Sequence, residues 1–143
     1  MERLGEMKII PGIYRHFKGK LYFVSGVGRD SEDEQKEFVV YYPLYESESK
    51  IRTRGVENFL EEVQREGYTG PRFVRVLEWH FANILPGLRL RDVQTFYEAT
   101  IFTIKCVKDE FNALHVDLES ATGKKRSLPI EYFKTPTSHC EFV

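Results

Sequence analysis

Hydrophobic positions along the chain come in short runs broken by polar or glycine-containing turns, a spacing suited to strands rather than long helices. Ile13 to Phe17 forms the first such run. Lys18-Gly19-Lys20 reads as a hairpin turn, with Gly19 free to take a positive φ. Leu21 to Val27 is rich in strand formers: Tyr22, Val24 and Val27. Gly28 to Lys36 is polar and acidic, has no apolar period, and predicts a solvated loop. Phe38 to Tyr45 is the most strongly β stretch of the chain. Pro43 within it marks a strand end, a bulge or an edge, because proline cannot donate to a ladder. Glu46 to Ser49 predicts a turn, and Lys50 to Arg54 a short exposed strand.

Val56, Phe59, Leu60 and Val63 fall at i, i+3, i+4 and i+7, the spacing of a helix face. A short turn at Val56–Phe59 followed by a strand fits the same residues, and periodicity over so few positions leaves both open. Gly67 to Pro71 predicts a turn, and Phe73 to Phe81 a strand that carries the sole tryptophan, Trp79. The pattern restarts at Pro86-Gly87. Phe96 to Val107 predicts a long strand, with Ile101, Thr103 and Lys105 on one side and Phe102, Ile104 and Cys106 on the other. Lys108-Asp109-Glu110 predicts a turn and Phe111 to Leu118 the next strand, with Leu114, Val116 and Leu118 on one face. After a tight turn at Ala121-Thr122-Gly123, Lys124 to Ser127 predicts a short strand. Pro129 to Phe133 has the look of a one-turn helix.

The second half echoes the first. Placed without gaps, Leu44 to Phe59 over Leu118 to Phe133 matches Leu44 with Leu118, Lys50 with Lys124, Arg52 with Arg126, Glu57 with Glu131 and Phe59 with Phe133. The same offset sets Tyr22-Phe23 over Phe96-Tyr97. Short strands with one helical turn before the last are the pattern of a small, strongly bent barrel. The expectation is therefore an all-β chain of two SH3-like barrel units: residues 1–76, a linker at 77–85, and residues 86–143.

Composition agrees with a globular chain that builds its own core: 143 residues, 41% hydrophobic, 14% aromatic and 30% charged. A formal net charge of −1 lowers the expectation of a nucleic-acid-binding face. The cysteines, Cys106 and Cys140, form no CxxC motif and predict free thiols in a reducing compartment. The opening residues have no apolar core, and no run is long enough to span a membrane, so a cytoplasmic protein is expected.

No nucleophile, metal or phosphate motif stands out. His16, His80, His115 and His139 show no ligand spacing, and no metal or cofactor is expected. Gly26-Val27-Gly28 lacks the rest of a dinucleotide fingerprint. Ser47-Glu48-Ser49-Lys50 matches Ser-x-x-Lys only by letters, since it sits in a polar turn. The richer constellation is Tyr14-Arg15-His16-Phe17-Lys18-Gly19-Lys20, which interleaves cations with rings. Arg52, Arg54, Arg72 and Arg75 join it if the barrel closes, and Tyr41 and Tyr45 add rings. Guanidinium forks suit phosphate or carboxylate, and rings offer stacking faces. Strand alternation alone would instead turn these aromatics inward and the cations to water.

The first half resembles a bacterial family known only as domain of unknown function 1653, over about residues 11–76. The resemblance rests on Gly12, Tyr14-Arg15-His16-Phe17-Lys18-Gly19, Tyr22, Gly26, Arg29, Ser31-Glu32, Glu37, Val39-Val40-Tyr41, Pro43-Leu44-Tyr45, Arg54, Glu57, Phe59 and Pro71-Arg72-Phe73. Arg52-Thr53-Arg54-Gly55 departs from the Trp-Val-Arg-Pro common in the family, whereas Pro129-Ile130-Glu131 of the second half keeps its Pro-Leu-Glu. The resemblance implies a fold but no activity. The expectation is a non-catalytic binding module for a small anionic or nucleotide-like ligand, or for a protein segment, at Tyr14, Arg15, His16, Tyr41, Tyr45, Arg52, Arg54 and Arg72. The alternatives are single-stranded nucleic-acid binding and a small enzyme using His16 beside Arg54 and Glu57.

Overall fold

The computed structural model describes residues 9–92, 100–134 and 140–142. The chain is mostly strand and forms two compact units. Unit 1 takes the described residues up to Pro43 together with Ser47–His80. Unit 2 takes Leu44–Glu46 and the chain from Phe81 onward. Among the described residues no helix is long and apolar enough to cross a membrane.

In unit 1 the strands are β1 (Gly12–His16), β2 (Leu21–Arg29), β3 (Glu37–Pro43), β4 (Arg52–Gly55), β5 (Glu62–Arg65), β6 (Tyr68–Pro71) and β7 (Phe73–Glu78), with helix α1 (Val56–Leu60) between β4 and β5. A five-stranded antiparallel sheet runs β4-β3-β2-β1-β7, and β5-β6 make a separate hairpin. Among the described residues β4 and β7 stay as sheet edges, so strand pairing does not close a barrel. The last strand returns beside the first, and Gly12 makes that possible: a Cβ there would lie 2.5 Å from the Leu77 carbonyl oxygen on β7. Strand β2 bends where its register jumps from Val24↔Tyr41 to Gly26↔Val40, leaving Ser25 as a bulge. Tyr14, Tyr22, Val24, Val39, Tyr41, Val56, Phe59 and Phe73 are all buried in this unit.

Of the alternatives at residues 56–66, the shorter turn prevails. α1 buries Val56 and Phe59, then the backbone turns extended at Glu61 (φ −66°, ψ 140°). Longer helix would cost the β5-β6 pairing, whose reversal uses positive φ at Glu66 and Gly67. The turn therefore sits at Glu66-Gly67, and Tyr68 to Pro71, expected to be turn, is strand.

In unit 2 the strands are β8 (Arg89–Asp92), β9 (Ile101–Glu110), β10 (Ala113–Ser120), β11 (Lys125–Pro129) and β12 (Cys140–Phe142), with a 3-10 turn at Ile130–Phe133. The antiparallel order is β11-β10-β9-β8-β12. Leu44 is fully buried here, and its carbonyl accepts the Val107 N–H at 2.8 Å. The expected turn at Lys108–Glu110 is strand, and the chain reverses at Phe111-Asn112, both at positive φ. The alternation expected along β9 breaks at Lys105, a bulge between Ile104↔Leu118 and Cys106↔Asp117. Phe102 and Ile104 share a buried side, as the alternation pairs them, but after the bulge Val107 is buried rather than Cys106. Residues 93–99, including Phe96 and Tyr97, and His139 lie outside the described residues, as does the side chain of Cys140.

Candidate functional site

The inward rings of β1, β2, β3, α1 and β7 pack as one cluster. Phe59 and Phe73 stack at 4.2 Å with an 8° interplanar angle. Tyr14 meets Phe59 edge-on at 5.5 Å. Tyr22 meets Tyr41 at 5.4 Å and Phe73 at 5.9 Å. Edge and offset-stacked ring pairs of this kind hold a small core. All five rings are buried, so they form the floor of any site rather than its open face.

Arg52 and Arg54, both half-buried, flank that floor, and Arg72 is buried beside it at 8% exposed. The Arg52 guanidinium lies 5.8 Å from the Tyr22 ring centroid, and the Arg54 guanidinium 5.5 Å from that of Phe73. Arg54 Nε donates to the Tyr41 hydroxyl at 3.3 Å, and Arg54 Nη1 donates to Asn58 Oδ1 at 2.7 Å. Arg72 joins from the junction of β6 and β7. Its Nε donates to the Asn58 backbone carbonyl at 3.2 Å, and its Nη2 lies 3.6 Å from Glu61. Asn58 Nδ2 donates to the same Glu61 carboxylate at 3.3 Å. One residue of α1 therefore holds both guanidinium groups in place. The Arg72 backbone is fixed as well: its N–H donates to the Glu61 carbonyl and its carbonyl accepts from Phe17 N–H.

His16 stands at the end of β1, with its ring 5.0 Å from Phe73, 4.4 Å from Phe17 and 6.4 Å from Tyr22. Its Nδ1 accepts the Lys18 backbone N–H at 3.1 Å, which assigns the proton of the neutral ring to Nε2. Burial, then the charges of Arg54, Arg72 and Lys18, hold its pKa below the ordinary histidine value. Phe17 stacks on Tyr68 at 5.8 Å, and Lys18 Nζ lies 5.9 Å from the Phe17 centroid. Tyr14 donates its hydroxyl to the Ile10 carbonyl at 2.7 Å, and burial raises its pKa.

Of the residues singled out in the sequence, His16, Tyr41, Arg52, Arg54 and Arg72 meet around the ring cluster, and Tyr14 reaches it through Phe59. Arg15 takes the alternate position on β1, away from Tyr14 and His16. Tyr45 falls in unit 2. Asn58 and Glu61 were missed by sequence reasoning. No spacing rule pointed to them, because Arg54 lies in β4 and Glu61 is extended, with only Asn58 inside α1.

Two grooves lie elsewhere among the described residues. In unit 2 a groove of about 440 Å³ is lined by Lys105, Lys108, Asp117, Glu119, Lys125 and Arg126. There Lys105 faces Glu46 at 3.3 Å and Lys108 faces Asp117 at 3.1 Å, so cations meet carboxylates. The Cys106 thiol donates to Asp117 at 3.6 Å; burial and that carboxylate push its pKa up, which disfavours a reactive thiolate. In unit 1 a groove of about 470 Å³ is lined by Lys36, Glu37, Phe38, Val56 and Glu57. Glu37 Oε2 is buried there without a hydrogen-bond partner among the described residues. Among the described residues no three His, Cys, Asp or Glu side chains converge as metal ligands.

The sequence profile of the family described as Protein of unknown function (DUF1653) matches residues 12–75. A crystal structure of a DUF1653 protein from Bordetella bronchiseptica is 34% identical, covers 49% of this chain and 90% of its own, and has a TM-score of 0.46. No curated protein matches the chain significantly. The matched span runs from the first residue of β1 to Arg75 in β7, and so contains His16, Arg54, Asn58 and Arg72 together with the rings beneath them. Through this span the chain belongs to the DUF1653 family of proteins of unknown function.

Proposed function

We propose that unit 1 is a non-catalytic binding domain that takes an anion, free or carried on a protein segment, at the rim formed by His16, Arg54 and Arg72. The observation that carries the reading is Asn58, which holds two guanidinium groups, with Glu61 the one carboxylate bonded into the set among the described residues. Glu61 offsets one of the two like charges, and the remaining positive charge favours a further anion. The ring floor lowers the local dielectric and strengthens attraction for that anion. Binding is favoured over acid–base chemistry because His16 Nδ1 is held by a backbone N–H and not by a carboxylate that would tune it as a base. Glu57, the other group of an enzymatic reading, is exposed and lines the separate groove beside Glu37.

The test is a titration of the isotopically labelled protein with small anions, followed by NMR. Shifts should appear at His16, Arg54 and Asn58, weaken with salt, and disappear in Arg54→Ala. An absence of shifts from every anion, or shifts that survive Arg54→Ala unchanged, would overturn the reading.

We also infer that both units have SH3-like architecture and that unit 2 is a diverged second copy. The support is the common strand order, with the last strand beside the first and a helical turn after the fourth. The residues before the turns, Gly55 and Pro129, have nearly the same backbone angles (φ −54°, ψ 140° and φ −55°, ψ 141°). Arg126 lies 5.9 Å from Phe102 as Arg52 lies 5.8 Å from Tyr22. Matched through their strand partners, Leu118 answers to Tyr41 and not to Leu44, because the turn after β10 is shorter than the loop after β3. An experimental structure in which the Ser25 and Lys105 bulges superpose supports the copy; bulges at unrelated positions would refute it.

A further inference from the structure

Resting on the anion-site reading of unit 1, we propose that the ligand group is a phosphate monoester, recognised by Arg54 and Arg72 held on Asn58 together with His16 across the shared Phe73 ring. Arg54 uses Nε–H on Tyr41 and one Nη1–H on Asn58, which leaves both hydrogens of Nη2 and the second of Nη1. Arg72 uses Nε–H on the Asn58 carbonyl and pairs Nη2 with Glu61 at 3.6 Å as an ion pair, which leaves Nη1. His16 spends Nδ1 on Lys18 N–H, which leaves Nε2–H. Among the described residues none of these remaining N–H groups has a protein partner.

These donors come from three side chains on separate elements. A carboxylate presents oxygens in one plane, and a phosphodiester presents only its non-bridging pair. A phosphate monoester presents three terminal oxygens and a charge of about −1.5 to −2 at neutral pH. That charge matches two guanidinium groups, with Lys18 nearby and Glu61 more than half exposed. Guanidinium forks also favour phosphate by geometry. Asn58 is in this account a positioning residue, since it orients the cations and need not touch the ligand. Phe17, stacked with Tyr68 and next to His16, offers a ring wall beside the phosphate.

The experiment is calorimetric and NMR titration of the full chain with inorganic phosphate, a nucleoside monophosphate, dimethyl phosphate and acetate at fixed ionic strength. Phosphate and the monophosphate should bind at least about tenfold more tightly than the diester or the carboxylate, the difference made by charge-assisted bonds. A monophosphate that binds more tightly than phosphate, with the difference removed in Phe17→Ala, identifies a ligand with a planar group. Equal binding identifies the phosphate alone, and both results support the proposal. Arg54→Lys, which keeps charge and loses the fork, should weaken phosphate binding several-fold while the melting temperature stays near that of the parent. Asn58→Ala should do the same without removing any group that touches the ligand. Acetate or dimethyl phosphate binding as well as phosphate would overturn the monoester assignment and leave the anion site standing. No binding by any of them would overturn both.

Discussion

Replacing Phe59 by leucine tests the ring floor on which the site rests. Phe59 is 2% exposed, stacks on Phe73 at 4.2 Å and meets Tyr14 and Tyr41 edge-on. Leucine keeps most of the apolar burial, so the lost terms are ring–ring attraction, about 0.5–1.5 kcal/mol, and imperfect shape, up to about 1.5 kcal/mol. The expected loss is therefore about 2 kcal/mol. Trp79 supplies the assay, because it is the sole tryptophan, is 2% exposed and belongs to unit 1. Its emission should follow urea unfolding of that unit. With a slope of about 1 kcal/mol per molar urea for a small unit, the midpoint should fall by about 2 M. The melting temperature should drop by roughly 8–16 °C. A midpoint within about 0.5 M of the parent would refute the claim that these rings form one packed floor.

Other consequences follow from single residues. His16 should titrate below the ordinary 6.5 when followed by NMR, and Arg54→Ala should move its midpoint upward. Because the folded pKa is depressed, the unfolded chain binds the proton first, so His16 makes stability fall as pH drops from 6.5 through the folded value. Gly12→Ala should cost roughly 1–3 kcal/mol in chemical denaturation, since the new Cβ meets a backbone oxygen on β7 that cannot swing away. Phe111→Asn should raise the melting temperature by a few degrees, about 0.5 kcal/mol, because Phe111 is 93% exposed at φ 54° and asparagine tolerates that conformation better.

The strands of unit 1 were legible because β-branched and aromatic residues dominate them, and the matching family residues lie among them. What the sequence hid depends on neighbours that are distant along the chain. Lys108, Asp109 and Glu110 look like a turn, yet Lys108 is held in strand by Asp117 across the hairpin, and the reversal falls on Phe111-Asn112. The bulge at Lys105 overturns simple alternation and brings Val107 inward. Helix and short turn were equal candidates at Val56 to Val63 until the pairing of β5 with β6 decided between them. In the site, the approach of Arg52, Arg54 and Arg72 to the rings could be anticipated from a folded-back sheet. The part played by Asn58 could not, because it depends on where α1 ends. Arg15 takes the other face of β1 from His16, and Tyr45 belongs to unit 2.

The most direct test of the anion site is a crystal of the protein soaked in selenate, a tetrahedral dianion with an anomalous signal. The account predicts an anomalous peak at hydrogen-bond distance, about 3 Å, from Arg54 Nη2, Arg72 Nη1 and His16 Nε2. Peaks confined to other cations such as Lys125 or Arg126, with none at this rim, would contradict it.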